Sequence, residues 1–224
     1  MAQQESRKAG KSGSQHQKPK IPNEILVEKI TDIRDYGQLL RTNSLFNAAL
    51  DGDVEQIRQS IEDGAHVNAT DKDGQTPLHY AIKHGTPEAC AALIENGADM
   101  ELKDNHGSAA LHHAANVGNA QACAILISKG ANVNIKDEDG NTPLHCAAWA
   151  GHIDVCTLLI ENGADMTAKD SNGWAPWRRA EWAERPEVAR FLQFLNFMRM
   201  RSSLGHKSAA SFVKSFRECI AEGS

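Results

Sequence analysis

The sequence predicts an all-α array of stacked two-helix repeats, on three observations. Glycines recur at a step of 33 in three registers: Gly74, Gly107, Gly140 and Gly173; Gly52, Gly85, Gly118 and Gly151; and Gly64, Gly97, Gly130 and Gly163. Leucines keep the same step, as Leu78, Leu111 and Leu144, then Leu93, Leu126 and Leu159. Aromatic residues make up only 5% of the 224, so a core must come from Ala, Leu, Ile, Val and Cys. Such side chains suit thin layers of closely packed short helices.

Each unit can be built in chain order. Asp73-Gly74 and Asp139-Gly140 are tight-turn pairs, because glycine reaches positive φ without a steric penalty. Thr76-Pro77 and Thr142-Pro143 then start a helix, with Thr at the N-cap and Pro in the first turn. That helix ends at Gly85 or Gly151. A second helix carries Leu93-Ile94, or Leu158, Leu159 and Ile160, on its inner side and stops at Gly97 or Gly163, where a left-handed C-cap is wanted. One unit cannot bury its own apolar side, but stacked neighbours can.

The segments Gly74-Gln75-Thr76-Pro77-Leu78-His79-Tyr80-Ala81 and Gly140-Asn141-Thr142-Pro143-Leu144-His145-Cys146-Ala147 closely resemble the ankyrin-repeat signature. So does Leu159-Ile160-Glu161-Asn162-Gly163-Ala164-Asp165. The resemblance implies an ankyrin-repeat solenoid: L-shaped units, each a short β-hairpin finger followed by an antiparallel helix pair. It divides the chain into a basic tail over 1–20, a capping helix over 21–44, repeats over 45–195, and a basic tail with an amphipathic helix over 196–224. The five units span 45–71, 72–104, 105–137, 138–170 and 171–195.

The ends are atypical, as capping requires. The first unit has no finger motif before it, and Ile25, Leu26, Ile30 and Ile33 fall at helical spacing after Pro22-Asn23. In the last unit Trp177 replaces the usual Leu, Arg178 the His, and Glu184 a ladder glycine. The third unit departs internally, with Ser108-Ala109-Ala110 in place of Thr-Pro. Losing that N-cap costs about 1 kcal/mol locally, which makes 105–117 the softest segment expected of the array.

Composition excludes other classes. The longest apolar runs, such as Cys90–Ile94, fall far short of the roughly 18 residues of a membrane span. Residues 1–20 are polar and lack a secretory apolar stretch. Five cysteines, an odd number, fit a reducing compartment, so the expected address is cytosol or nucleus. Residues 21–195 carry 14 basic against 26 acidic residues, an acidic body unlike that of a nucleic-acid binder.

No catalytic constellation emerges: there is no phosphate loop with lysine, metalloprotease helix or nucleophile elbow. The chain is therefore expected to be no enzyme and to need no cofactor or metal. His79, His112 and His145 occupy one structural position in successive units. The resemblance makes that residue a structural hydrogen-bonding histidine. Layers roughly 10 Å apart also keep three such rings from sharing a zinc ion. Cys90, Cys123 and Cys156 form a similar ladder beside apolar neighbours, too far apart for a disulfide, and read as small hydrophobes.

The resemblance places a partner protein on the concave face, formed by fingertips and first helices. Mapped by register, the fingertips offer Lys72, Asp73, Gln75, Asn105, His106, Ser108, Glu138, Asp139, Asn141 and Trp174. The first helices offer Lys83, His84, Asn116, Val117, Trp149, Ala150 and Trp182. Trp149 and Trp182 are 33 apart, hence neighbours in adjacent layers. Tryptophan is enriched in interface hot spots, and Glu138, Asp139 and Glu181 suggest a partner segment carrying Lys or Arg. The alternative is that Trp182 and Trp174 only pack under the C-terminal tail.

Two further readings remain. Asn134, eight residues after Leu126, resembles ankyrin sites modified by asparaginyl hydroxylase, although Asn there also stabilises the finger turn. Ala209, Phe212, Val213, Phe216 and Ile220 form a helical stripe opposite Lys214 and Arg217. That stripe reads either as a helix folding back onto the last repeat or as one that binds a partner or a membrane surface; with the basic tails it makes a rival reading, a localisation module touching a membrane surface or nucleic acid.

Overall fold

A computed structural model describes residues 33–84 and 86–202. They form ten helices: α1 (Ile33–Asp51), α2 (Val54–Glu62), α3 (Pro77–His84), α4 (Pro87–Glu95), α5 (Ala110–Val117), α6 (Ala120–Ser128), α7 (Pro143–Ala150), α8 (Ile153–Glu161), α9 (Pro176–Trp182) and α10 (Pro186–Ser202). The odd-numbered helices pack in succession as an inner row. The even-numbered helices α2 to α8 form an outer row, and α10 lies against α9.

The core is the alanine, leucine and cysteine ladder read from the sequence. Ala81, Ala114, Ala147 and Ala180 are fully buried, which lets successive inner helices approach closely. Leu78, Leu111 and Leu144 fill that interface, and Leu93, Leu126 and Leu159 fill the outer one. Cys90, Cys123 and Cys156 are wholly buried, and burial pushes each thiol up to about 12. They are inert packing residues.

Capping is also periodic. The side chains of Asp53, Thr86 and Asn119 accept the N–H groups of Gln56, Ala89 and Ala122, starting α2, α4 and α6. His152 holds the same register before α8 and instead reaches back to the Asn116 carbonyl, with Nε2 at 3.2 Å. Gly118 and Gly151 close α5 and α7 at φ 75° and 94°. A side chain at Gly118 would also run into the His152 ring, 2.6 Å from an added Cβ.

Glu184 stands in that glycine register and is held at φ 56°. A left-handed conformation costs an ordinary residue about 1–2 kcal/mol, part of which glycine returns through its freer unfolded chain. Glu184→Gly is therefore expected to stabilise the protein by about 1 kcal/mol. A urea midpoint below that of the parent would sink this account.

The fingers differ from the expected β-hairpins: no strand forms among the described residues. Each finger is a turn closed by two backbone bonds, as from Asp71 N–H to the Gln75 carbonyl with Gly74 N–H to the Asp71 carbonyl, and from Asp137 N–H to the Asn141 carbonyl with Gly140 N–H to the Asp137 carbonyl. Neighbouring fingers share single backbone bonds, from Asn105 N–H to the Asp73 carbonyl and from Ser171 N–H to the Asp139 carbonyl, each backed by a side-chain bond, from Asn105 Nδ2 to the Lys72 carbonyl and from Ser171 Oγ to the Asp139 carbonyl. The remaining N–H groups turn inward onto an aspartate, so no ladder can propagate.

The cap expected over Ile25, Leu26 and Ile30 lies outside the described residues. From Ile33 onward α1 passes through residue 45 without a break, since no glycine or proline interrupts 38–50. In the third unit α5 forms despite lacking Thr. The Ala109 N–H still donates to His112 Nδ1 at 3.2 Å, but the hydroxyl that Thr76 and Thr142 set against the same nitrogen at 2.9 Å is missing. Beside it, His79 Nε2 faces the Ser108 carbonyl without a well-formed hydrogen bond, whereas His112 and His145 donate across to the next finger. Both losses fall on the joint between the second and third units. Amide exchange over 105–117 is expected to outpace that over 138–150, and slower exchange there would refute the assignment.

Candidate functional site

The face made by the fingers and inner helices rests on a repeated aspartate. Asp71, Asp104 and Asp170 each accept two finger N–H groups on Oδ1, and Asp137 accepts the Asn141 N–H at 2.7 Å. On Oδ2 three of them meet the residue nine positions on. Tyr80 donates its hydroxyl to Asp71 at 2.8 Å, His113 Nε2 to Asp104 at 2.8 Å, and Arg179 Nε to Asp170 at 2.7 Å. Cys146, the residue at that register opposite Asp137, supplies no such bond, and Asn141 Nδ2 donates to Asp137 instead at 3.0 Å.

These contacts set the charges. Burial opposes ionisation of Asp170, but the Trp174 N–H and the Arg179 guanidinium together outweigh it, and the carboxyl lies below the usual range. Asp104 is lowered in the same way, its burial overcome by Ser108, His106 and His113. Burial pushes the Cys146 thiol up to about 12, and Asp137 adds to that, so Cys146 is no activated nucleophile.

The histidine ladder does the hydrogen bonding that the repeat pattern implied. His145 Nδ1 accepts the Thr142 N–H at 3.1 Å, so the neutral ring carries its hydrogen on Nε2 and donates to the Trp174 carbonyl at 3.1 Å. His112 links Ala109 to the Asn141 carbonyl in the same sense. Each ring thereby starts an inner helix and fastens the next finger.

The tryptophans converge. Trp149 and Trp182 stack with ring centroids 4.9 Å apart, and Trp174 lies 6.0 Å from Trp182. Trp149 is 38% exposed and Trp182 60%, so the stack is open to solvent. Arg178 and Arg179 approach the Trp174 ring at 5.9 and 5.7 Å. Asn116 and Asn141 join this end of the face, lining a cleft with Trp149 and Arg179.

The other residues mapped by register are dispersed. Lys83 Nζ donates to Gln75 Oε1 at 3.1 Å, and with His84 they belong to the second unit, two layers from the tryptophans. Val117 is 43% exposed at the end of α5. His106, Glu138 and Asp139 are exposed at fingertips, while Ser108 is half-buried. Glu181 is exposed on α9, and Gln193 of α10 donates to its carboxylate at 3.2 Å, which turns it toward that helix with its charge intact. Asn134 staples two units, donating to the Gly163 carbonyl at 3.1 Å and accepting the Asp165 N–H at 2.8 Å. Asn68 makes the matching pair with Gly97 and Asp99, which marks a structural role for both. The C-terminal stripe over 209–220 lies outside the described residues.

The aspartate row was missed by sequence reasoning. Its signal was present, since Asp71, Asp104, Asp137 and Asp170 also repeat at 33. Nothing in the periodicity says that the residue nine on folds back to the carboxylate.

Stacked helix pairs with an aspartate at every finger and histidines repeating at the same step define a class, the helical repeat protein. The family model for ankyrin repeats, in three copies, matches residues 23–104, 45–137, 98–170 and 137–194, and the chain belongs to that family. Ankyrin repeats are in general protein-interaction modules and generally non-enzymatic. Local similarity extends to acyl-CoA-binding domain-containing protein 2 of Arabidopsis thaliana, 46% identical over 46 residues, which are 20% of this chain and 13% of that protein. The ankyrin repeat domain-containing protein oryK of Aspergillus oryzae is 39% identical over 49 residues, 22% of this chain and 8% of its own length. A putative ankyrin repeat protein of fowlpox virus is 46% identical over 41 residues, 18% of this chain and 29% of its own. The matched stretches thus span less than a third of each of these relatives. No helix among the described residues is long and apolar enough to cross a membrane.

Proposed function

We propose that the chain is a non-enzymatic adaptor that binds a partner protein on the concave face of its repeats, anchored on Trp149, Trp182 and Trp174. The carrying observation is the exposed tryptophan stack at the junction of the fourth and fifth units. Large aromatic surface left in water favours association, and tryptophan supplies it with little conformational entropy to lose. The acidic fingertip of Glu138 and Asp139, with Glu181 on α9, favours a Lys or Arg in the bound segment. Four thiols without disulfides among the described residues accord with a cytosolic or nuclear setting.

Affinity capture from a lysate, comparing the intact chain with Trp149→Ala/Trp182→Ala, tests the reading. The variant is expected to lose its partner by about 100-fold in affinity, with circular dichroism unchanged because both rings are exposed. Capture of the same partners at equal strength would refute the anchor and return attention to the tails.

A further inference from the structure

Along the inner row, the residue nine positions after each finger aspartate is Tyr80, His113, Cys146 and Arg179 in turn. The three large ones fill the space up to their own aspartate. Cys146 is too short to do so, and a cleft of about 190 Å³ opens there, lined by Asn116, Asn141, His145, Cys146, Trp149 and Arg179.

The hydrogen-bonding capacity of that lining is one-sided. His145 spends both ring nitrogens on Thr142 and Trp174. Asn141 gives one amide hydrogen to Asp137 and accepts from Arg179 on its oxygen, which leaves one N–H over. Arg179 donates from Nε to Asp170 and from one terminal nitrogen to Asn141 at 2.8 Å, which leaves N–H groups of the fork over. The Trp149 indole N–H and the Asn116 amide have no hydrogen-bond partner among the described residues. Donors on four side chains thus outnumber the acceptors left in the lining, the amide oxygens of Asn116 and Asn141. Arg179 is also held in place, its side chain 17% exposed and its guanidinium 5.7 Å from the Trp174 centroid.

We propose that this cleft is a subsite for the carboxylate of a partner's Glu or Asp, seated beside an apolar residue that lies on the Trp149–Trp182 stack. The inference rests on the concave-face reading and adds the chemistry of one position within it. A carboxylate offers only acceptors to a donor-rich wall, and its bonds to guanidinium are charge-assisted. A Lys or Arg entering the cleft would set its donors against the N–H groups of Arg179 and Trp149 on the walls. Asp170 takes up part of the Arg179 charge, and Asp137 brings a negative charge near the floor. Selectivity therefore comes from directed hydrogen bonds rather than from net charge. A basic residue at Glu138 and Asp139 and an acidic one in the cleft can belong to the same segment.

The test is selection of a random dodecapeptide library on the full chain, followed by affinity measurements with the selected peptides as synthetic probes. The peptides are expected to carry Glu or Asp next to an apolar residue, and Glu→Gln is expected to weaken them about tenfold. Cys146→Tyr places a tyrosine where Tyr80 already meets its aspartate and fills the cleft. It should abolish the Glu-over-Gln preference while tryptophan-dependent binding persists. Asn116→Tyr, at an exposed position, blocks the cleft from the other wall and serves if Cys146→Tyr does not fold. Peptides lost in Trp149→Ala/Trp182→Ala but indifferent to Glu→Gln, or equally bound by both blocked variants, overturn the cleft and leave the concave-face reading standing. Selection of basic peptides that need an open cleft overturns its chemistry. Failure to select any tryptophan-dependent peptide overturns both.

Discussion

Acidification from pH 7 to pH 4 is expected to remove several kcal/mol of stability, about 3 kcal/mol of it through His79 alone. Burial holds His79 down to about 4, assisted by the neighbouring His113 ring 4.9 Å away and opposed by Asp104. His112, His113 and His145 are lowered as well, each chiefly by burial. The unfolded chain protonates such rings near pH 6.5. Between pH 6.5 and the depressed folded values the unfolded state holds more protons, so stability is complete above that window and falls as pH falls through it. The geometry gives the same direction. Nδ1 of His79, His112 and His145 accepts a backbone N–H at the start of α3, α5 and α7, and a proton on that nitrogen removes the bond from all three helices. Asp104 and Asp170, whose carboxyls lie below the usual range, lose their contribution only at still lower pH. Urea midpoints measured from pH 7 to 4 check this, and a flat profile down to pH 4.5 would dispose of it.

Asp170→Ala is expected to cost about 3–5 kcal/mol, the range for breaking a buried ion pair by removing one partner. The Asp170 side chain is wholly enclosed, and it holds the Asn172 and Trp174 N–H groups as well as the Arg179 guanidinium. Its loss orphans two backbone donors and leaves Arg179, 17% exposed, without its counter-ion. Asp71→Ala removes two finger bonds and a neutral tyrosine hydroxyl, so it should cost less, about 2 kcal/mol. Equal denaturation midpoints for the two variants would show that the charge on Arg179 contributes nothing beyond the finger bonds. Because Arg179 also lies against Trp174, Asp170→Ala should quench or shift tryptophan fluorescence in the folded state as well.

The sequence was enough for the fold because the repeat is a local code reinforced by stacking. Gly118 and Gly151 end their helices, Asn119 and Thr86 begin the next, and Leu78, Leu111 and Leu144 must face the core at a step that no other architecture shares. Register alone also put Trp149 and Trp182 in adjacent layers, and the structure stacks them. It did not show whether the rings touch or stay open to solvent, since that depends on side-chain rotamers that periodicity does not encode.

What only tertiary structure decided is the chemistry between the layers. Glu181 reads as part of an acidic rim beside Trp182, and Gln193 turns it toward α10 with its charge intact. The fingers read as hairpins, yet Asp71, Asp104, Asp137 and Asp170 gather their N–H groups inward and leave no ladder to extend. The cleft exists because Cys146 stands where Tyr80, His113 and Arg179 reach their aspartates, a contact nine residues long in sequence and one side chain long in space. Periodicity assigns each residue to a layer and a face, and side-chain reach across that face decides which of them meet.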